Sequence, residues 1–425
     1  MTIARWLLAA FVLAAPATAQ ADRAAPVTRP VPGQAGAPEP GSGPGSGKPL
    51  MVRARTGPVA PPHPSGAAVI ELLEDDADRL ARSLNPGQDL ANLGKAGAWG
   101  DDCYSGVCAL KVAGYQRFRE NLPGWTYPVA EKPRPGEYRY LRFAWKRPEG
   151  RGVMLQLSLA SGDWGRYFAG ENAVGFYPAL QVNPSPPRDW EVVTRDLWED
   201  FGRVPFALTG MAFTSMDGIA LFDHVYLGRT VEDLDRVTEA ARHWATRIDF
   251  LGADRIGQYW KDVESEDAAV RQPAIWALGA CGGTSSPFVV RQVPVPDAAA
   301  MNRRIANAVA GLDAPRFAVR ERASRDLEQL GLTALPQLEV ALAKPDLSPE
   351  WRTRLEKLVQ KVRTDEPPLT ESQRLTLRAI RILEQAETAE AKARLTELAK
   401  GGLETGLSLE AKAALDRFAK RGNSK

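Results

Sequence analysis

The chain of 425 residues is long enough to hold two domains, each with its own hydrophobic core. Its 54 basic and 52 acidic side chains give a formal net charge of +2, and no basic run carries interleaved aromatic residues, so the composition does not favour nucleic acid or anionic lipid as a partner. With three histidines, three cysteines and no C-x-x-C, C-x-x-C-H or H-E-x-x-H motif, the sequence has no ligand set for structural zinc, c-type haem or zinc-protease chemistry.

The N-terminal segment predicts export from the cytoplasm. Residues 1–19, MTIARWLLAAFVLAAPATA, combine an early arginine, a short apolar run and an A-x-A site, a pattern typical of a cleaved secretory signal. An uncleaved membrane anchor is the alternative, but the helix-breaking Pro16 and the shortness of the apolar run weigh against it. We therefore predict a periplasmic, cell-envelope or secreted protein with no integral membrane span after signal cleavage.

Residues 20–66 are dominated by Pro, Gly and Ala, as in PVPGQAGAPEPGSGPGSGKP. A segment with so little apolar surface cannot offset the entropy of ordering its backbone. We predict a disordered linker, in which His63 is solvated.

Residues 67–235 contain short apolar runs separated by Gly, Pro and Asn, which is typical of an antiparallel β domain. In VMLQLSLA, residues 153–160, apolar side chains recur at period two and predict a half-buried strand. Seven further runs predict strands: CALKV, YRYLRFAW, RYFAG, PALQV, WEVVTRDL, FALTGMAFT and IALFDHVYL. Eight short strands with turn signals between them predict a β jelly-roll sandwich, and ELLEDDADRLARSL before them predicts a short helix.

Two of the three cysteines lie close together in WGDDCYSGVCALKV. Exported proteins meet oxidising conditions, so paired cysteines are interpreted first as a disulfide. A hairpin with the four intervening residues as its loop would place Cys103 opposite Cys108, at the roughly 4.5–5.5 Å between Cα atoms that a disulfide accepts. We predict a Cys103–Cys108 disulfide, with Cys281 as a small buried residue.

The periodicity becomes helical in residues 236–425. Leu355, Leu358 and Val362 fall on one helical face, while SPE from Ser348 and the capping box that begins at Thr370 mark helix N-termini. Ala-x-x-x-Leu pairs recur at irregular intervals, and the first two copies share the similar sequences AAVR and FAVR. These features predict a degenerate helical repeat.

Two regions resemble known families. DDCYSGVCALKV and ALFDHVYLGR are similar to the opening and closing strands of galactose-binding-like jelly rolls, a group rich in carbohydrate-binding modules, in which an acid precedes a Ser-Gly turn and the last strand carries a D-x-V-x-L core. This sequence departs from that pattern by its two cysteines. The resemblance implies that residues 67–235 form a jelly-roll binding domain.

The second resemblance covers nearly all of residues 236–425. YWKDVESEDAAVRQPAIWALGA, DAPRFAVRERASRDLEQLG and LRAIRILEQAETAEAKARLTELAKGG resemble the HEAT-like helical region at the C-terminus of bacterial WD40-propeller proteins. That family implies an all-α HEAT-like domain with a scaffold or interaction role, a protein partner, and no catalytic residues.

The jelly-roll resemblance also implies an aromatic surface that stacks on a sugar ring. Trp164 and Tyr167 lie three residues apart in the polar, glycine-rich stretch SGDWGRYFAGEN and are the first candidates, followed by Tyr104 and Trp190. The alternative is that these rings belong to the core or its rim, where aromatic side chains dominate the packing energy. Trp145, inside an alternating strand, is predicted to be core.

Asp223 lies in an otherwise apolar strand, where an acid must be paired, hydrogen-bonded or bound to a metal. In galactose-binding-like modules the matching acid often helps to hold a structural calcium ion, so the resemblance implies Asp223 and Asp102 as its ligands. The alternative is a salt bridge from Asp223 to one of three arginines: Arg139, Arg142 and Arg195.

The sequence gives little sign of catalysis. The acids of WEVVTRDLWEDFG form a charge cluster that is typical of a solvated strand end, and neither a G-x-S-x-G elbow nor a phosphate loop occurs. We predict a non-catalytic exported protein whose jelly roll recognises a glycan or another envelope component and whose helical domain binds a protein partner. The alternatives are a purely structural interaction scaffold and, third, an enzyme acting on polysaccharide.

Overall fold

The computed structural model describes residues 60–74, 76–84, 94–100, 102–295, 297–364, 369–400 and 406–423. The predicted signal peptide and the predicted linker as far as residue 59 lie outside the described residues. Within the last part of that linker, the His63 amide donates to Gly136 O at 2.7 Å, and its ring lies 5.1 Å from that of Tyr127. His63 therefore packs against the domain that follows, instead of being solvated as predicted.

Two six-stranded sheets face each other in the N-terminal half of the described chain. Sheet A contains β1 (Val69–Leu73), β2 (Gly94–Trp99), β3 (Ala109–Gly114), β6 (Tyr140–Lys146), β10 (Glu191–Asp196) and β12 (Ile219–Gly228). Sheet B contains β4 (Gln116–Arg119), β5 (Tyr127–Val129), β7 (Gly152–Leu159), β8 (Trp164–Gly170), β9 (Leu180–Asn183) and β11 (Phe206–Met216). Two short helices, α1 (Ala77–Ser83) and α2 (Leu197–Asp200), connect strands.

The long strands β11 and β12 organise the two sheets. Sheet A runs β10-β6-β12-β3-β2, with β1 paired to the second half of β12. Sheet B runs β4-β11-β7-β8-β9, with β5 paired to the first half of β11. All strand pairs are antiparallel except β8 with β9, which is parallel.

The sandwich core forms where the inner faces of the sheets meet. Val153, Leu155 and Leu157 point inward from β7, as their period-two spacing predicts. Trp145 is fully buried in the same core, as predicted. The eight predicted strands are confirmed as β3 and β6 to β12, and the predicted β sandwich followed by a helical domain is confirmed.

Eleven helices follow the sandwich within the described residues: α3 (Val231–His243), α4 (Ala253–Val263), α5 (Ala268–Ala280), α6 (Gly282–Gln292), α7 (Ala298–Gly311), α8 (Phe317–Leu330), α9 (Leu335–Leu342), α10 (Pro349–Thr364), α11 (Glu371–Ala386), α12 (Ala389–Ala399) and α13 (Gly406–Asn423). Helix α3 begins at Val231, so the predicted boundary after residue 235 falls inside its first turns. None of the described helices is both long and apolar enough to cross a membrane.

The helices form two separate hydrophobic cores. One joins α4, α5 and α6 to α11, α12 and α13, and the other lies within α7 to α10. Arg271 and Arg320, the fourth residues of α5 and α8, each donate through Nη1 to two carbonyl oxygens of the turn before their own helix, at 2.9–3.0 Å. This shared contact explains why the AAVR and FAVR sequences match.

Helix α5 fastens the helical region to the sandwich. The Asp267 carboxylate caps α5 through the Ala269 amide at 3.0 Å, and it also accepts from the amides of Ala68 at 2.8 Å and Val69 at 3.2 Å. One turn further along, Arg271 forms a 2.8 Å ion pair with Glu71 of β1. The described residues therefore belong to one compact unit.

Candidate functional site

The loop between β2 and β3, described for Gly100 and residues 102–108 and called the 100–108 loop, folds around the buried carboxylate of Asp223. Its Oδ2 accepts from the amides of Tyr104 at 2.7 Å and Ser105 at 3.1 Å, and its Oδ1 accepts from the His224 amide at 2.7 Å. Gly106 adopts a φ of +62°, which a residue with a side chain rarely takes up. Asp223 thus satisfies its charge with backbone donors and fixes the position of Tyr104.

The structure contradicts the predicted disulfide, because no disulfide joins Cys103 to Cys108. Strands β2 and β3 do form a hairpin, but Trp99 pairs with Ala109, so all of residues 100–108 form the loop. The four-residue hairpin loop that would have placed the two cysteines opposite each other does not exist. Cys281 is fully buried, as predicted.

A buried polar cluster lies behind this loop. The Glu74 carboxyl accepts from Ser105 Oγ at 2.5 Å and from the Tyr226 hydroxyl at 2.7 Å. His224 lies 3.1 Å from Ser105 Oγ through Nδ1 and 3.0 Å from Thr238 Oγ1 through Nε2. Both ring nitrogens of His224 are thus within hydrogen-bond distance of a hydroxyl.

Burial sets the protonation states in this cluster. Because desolvation disfavours the charged form, it raises the pKa of Glu74 to about 8, against the lowering effect of the hydrogen bonds from Ser105 and Tyr226. Desolvation, together with the positive charges of Arg142 and Arg242, lowers the pKa of His224 to about 3. Both side chains are therefore predominantly neutral at pH 7.

In front of the loop is a cavity of about 570 Å³ between the sandwich and the helices. The sandwich lines it with residues 100 and 103–107, and the helical region with side chains from the end of α3, from α5, from the end of α11 and from α13. Three aromatic residues are among the lining: Tyr104, Trp244 and Trp276. The Trp276 ring stacks on that of His224, with 6.3 Å between centroids, so the buried cluster supports the cavity wall.

Two of these aromatic residues have unsatisfied polar atoms. The Tyr104 hydroxyl and the Trp276 indole nitrogen are both buried, and neither has a hydrogen-bond partner among the described residues. Buried polar groups normally have partners, because leaving one unpaired costs about 1–3 kcal/mol. Because neither atom is open to solvent, both lie beneath the cavity wall, and a ligand would bond them only after a rotation of the Tyr104 or Trp276 ring.

The charges at the cavity are compensated within the protein. Glu387 accepts from Arg247 at 2.5 Å and from Arg421 at 3.0 Å, and Arg421 also contacts Glu384 at 3.2 Å. Glu387 ends α11 with a left-handed φ of +52°. The charged side chains of the wall, Arg247, Arg421 and Glu387, are thus all paired, so none requires a charged ligand.

Trp190 and Asp102, two further predicted site residues, lie beside the loop. The Trp190 indole donates to Asp102 Oδ1 at 2.7 Å, its ring lies edge-on to Tyr104 at 6.3 Å, and Lys146 pairs with Asp102 Oδ2 at 3.0 Å. No group of three or more His, Cys, Asp or Glu side chains that could hold a metal ion occurs among the described residues. Calcium binding by Asp102 and Asp223 stays a prediction.

The aromatic surface predicted from Trp164 and Tyr167 does not exist, because the two residues lie on opposite faces of β8. Residues three apart in a strand point in opposite directions. Tyr167 is fully buried in the sandwich core, where its hydroxyl donates to Asp200 at 2.9 Å. Trp164 is half-buried on the outer face of sheet B, edge-on to Phe118 with 6.4 Å between ring centroids.

No sequence pattern indicates the helical half of the cavity. Trp244, Trp276 and Arg421 follow helical periodicity, so each resembles a residue of a helix interface. Only the packing of α3, α5 and α13 around the loop brings them to Tyr104.

No protein-family model matches the chain, and no curated protein matches it. A comparison with solved structures finds a protein from work titled "Structural basis for the promiscuous specificity of the carbohydrate-binding modules from the beta-sandwich super family", with 14% identity and a TM-score of 0.19. The match covers 32% of this chain and 51% of that one, so this chain spans about half of its length. A likeness at this level carries no argument about function.

Proposed function

We propose that the protein is a non-catalytic glycan-binding protein and that the cavity in front of the 100–108 loop binds a neutral saccharide. The observation that carries the proposal is the cavity itself, whose lining includes three aromatic residues, Tyr104, Trp244 and Trp276. A volume of about 570 Å³ falls within the range of roughly 300–1,000 Å³ that is typical of small-molecule sites.

The chemistry of the lining fits a saccharide. Aromatic rings offer apolar faces for the C–H groups of a pyranose, while a hydroxyl and an indole N–H can bond sugar oxygens. Because the arginines at the wall are paired with Glu384 and Glu387, a neutral ligand disturbs no charge balance. Export of the protein and a protein partner on the helical region remain part of this proposal.

The arrangement around Ser105 favours binding over hydrolysis. Ser105, His224 and Glu74 form a cluster that superficially resembles a catalytic triad, but both His224 nitrogens and both Glu74 oxygens already contact neighbours in it. The amides of Tyr104 and Ser105, which could stabilise an oxyanion, are bound to Asp223. The cluster therefore supports a structural role.

The test is a neutral-oligosaccharide array probed with the full chain, followed by calorimetry on the best ligand. Tyr104→Phe removes only a buried, unpartnered hydroxyl, so we expect the melting temperature to stay the same or rise. We expect affinity to fall by about three- to tenfold, the value of one hydrogen bond of roughly 0.5–1.5 kcal/mol. Trp244→Ala, which removes a stacking surface, should lower affinity by at least about tenfold.

Tyr140→Phe is the matched control, because Tyr140 does not line the cavity and contacts Arg139 through its ring face instead. It should leave affinity unchanged. Binding of no neutral glycan, or equal binding by wild type and Tyr104→Phe, would contradict the proposal and favour the scaffold alternative.

A further inference from the structure

The outer face of sheet B carries a row of polar side chains across three strands. Arg166 of β8 donates through Nε to Gln156 Oε1 of β7 at 2.9 Å, and Gln156 donates through Nε2 to Thr214 Oγ1 of β11 at 3.0 Å. Gln156 and Thr214 are almost fully buried. The row thus holds the Arg166 side chain in one position at the centre of the face.

Arg166 differs in its partners from three other arginines of the sandwich, whereas like Arg147 and Arg188 it donates only to uncharged acceptors. Arg139, Arg142 and Arg195 each form an ion pair with a carboxylate at 2.6–2.7 Å. No carboxylate lies within ion-pair distance of Arg166 among the described residues. Its Nη1 makes only long contacts, at 3.4 and 3.5 Å, to the carbonyls of Trp164 and Tyr177.

The guanidinium of Arg166 is incompletely compensated and partly desolvated. Burial lowers the pKa of Arg166 to about 10, with Asp163 acting against this from beyond ion-pair distance. The ring of Phe176 lies 5.7 Å from the guanidinium and gives a weak cation–π contact. A desolvated cation is normally paired with an anion, because burying an unpaired charge is costly.

Two further aromatic residues, Trp164 and Tyr177, lie near this cation. Trp164 is two residues before Arg166 on β8, so both side chains lie on the outer face. The Trp164 ring is half-buried, and Tyr177 in the neighbouring loop is 67% exposed. A carboxylate can therefore pair with the Arg166 guanidinium while the rest of the same ligand contacts an aromatic ring.

We propose that the outer face of sheet B is a second binding site, at which Arg166 pairs with the carboxylate of an acidic saccharide and Trp164 stacks on its ring. The planar guanidinium matches a carboxylate with two parallel hydrogen bonds. This site is separate from the neutral-saccharide cavity and does not depend on it.

The experiment measures binding of trigalacturonate, neutral galactotriose and a sulfated galactose trisaccharide to the full chain by calorimetry. We expect trigalacturonate to bind at least tenfold more tightly than galactotriose, and to bind more weakly as salt is raised. Arg166→Gln should abolish this preference, and Trp164→Ala should weaken trigalacturonate binding at least tenfold. Arg166→Gln also removes the donor to the buried Gln156 Oε1, so we expect the melting temperature to fall modestly; a purely structural role would lower it without changing the ratio of the affinities for trigalacturonate and galactotriose.

Arg151→Gln is the matched control for loss of a positive charge, since Arg151 is exposed and paired with Asp217 and Glu171. It should keep the preference, and so should Tyr104→Phe, which alters only the cavity. Equal binding of the acidic and neutral trisaccharides, tighter binding of the sulfated one, no binding of trigalacturonate, or unchanged binding by Arg166→Gln would each overturn the proposal.

Discussion

Glu74→Gln is expected to make the protein more stable than the wild type at pH 8 and about equally stable at pH 4.5. The Glu74 carboxyl is fully buried, and its pKa is raised to about 8. In the unfolded chain the same carboxyl ionises at its ordinary pKa near 4.5. Between these two values the unfolded state loses a proton that the folded state keeps, so stability falls as pH rises.

The loss amounts to at most about 1.4 kcal/mol for each pH unit between 4.5 and 8. Glutamine retains the neutral form, can accept from one of the two hydroxyls of Ser105 and Tyr226 through its oxygen and donate to the other through its amide nitrogen, and cannot ionise. His224 acts in the opposite direction: its pKa is lowered to about 3, so its contribution is present above pH 6.5 and is lost as pH falls towards 3. The Glu74→Gln variant should therefore still lose stability as pH falls towards 3, but its stability should no longer decline as pH rises towards 8.

Melting temperatures between pH 4.5 and 9 measure this difference. Glu356→Gln, which changes an exposed glutamate in α10, is the matched control and should follow the wild-type profile. A Glu74→Gln profile that declines towards pH 8 as steeply as the wild-type profile would show that Glu74 is already ionised in the folded state.

The strands that could be predicted are those with regular alternation and enough length. The four that were missed lack this signal: β2, GKAGAW, is rich in small residues, β4, QRFR, is short and polar, and β5 has three residues including Pro128. Strand β1 is followed closely by α1. The last three residues of its sequence VIELL therefore fell within the stretch ELLEDDADRLARSL, which predicts a helix.

Only the sandwich half of the candidate site could be predicted from sequence, and the reason differs from the one that explains the missed strands. The loop around Tyr104 could be found from sequence, because its Ser-Gly turn and the strand that contains Asp223 resemble the opening and closing strands of galactose-binding-like jelly rolls. The spacing of Trp164 and Tyr167 does not by itself place them on one surface, since residues three apart are neighbours on a helix and lie on opposite faces of a strand. The lack of a hydrogen-bond partner for the Trp276 indole nitrogen and of a carboxylate partner for Arg166 depends on three-dimensional packing, which no local pattern encodes.

The contact between α13 and the sandwich gives the other large expected effect. Arg417 forms a two-pronged ion pair with Glu384 of α11, with distances of 2.9 Å from Nε and 2.8 Å from Nη2. Its Nη1 reaches Asp78 of α1 at 3.0 Å, and Asp78 in turn accepts from the Ala98 amide of β2 at 2.8 Å. Although burial acts to lower the pKa of Arg417, its hydrogen bonds with Glu384 and neighbouring negative charges raise it overall.

Arg417→Met should destabilise the protein by about 3–5 kcal/mol, because it leaves Glu384, which is fully buried, with Arg421 as its remaining cation. The free energy of urea unfolding measures this loss. Arg203→Met is the control: its pair with Glu199 is exposed, so we expect a change of no more than about 1 kcal/mol. The double variant Arg417→Met/Glu384→Gln also removes the buried carboxylate that has lost its main partner, so it should recover most of the lost free energy of unfolding. If instead the double variant is as unstable as Arg417→Met, the loss comes from the packing of the arginine stem and the link to Asp78.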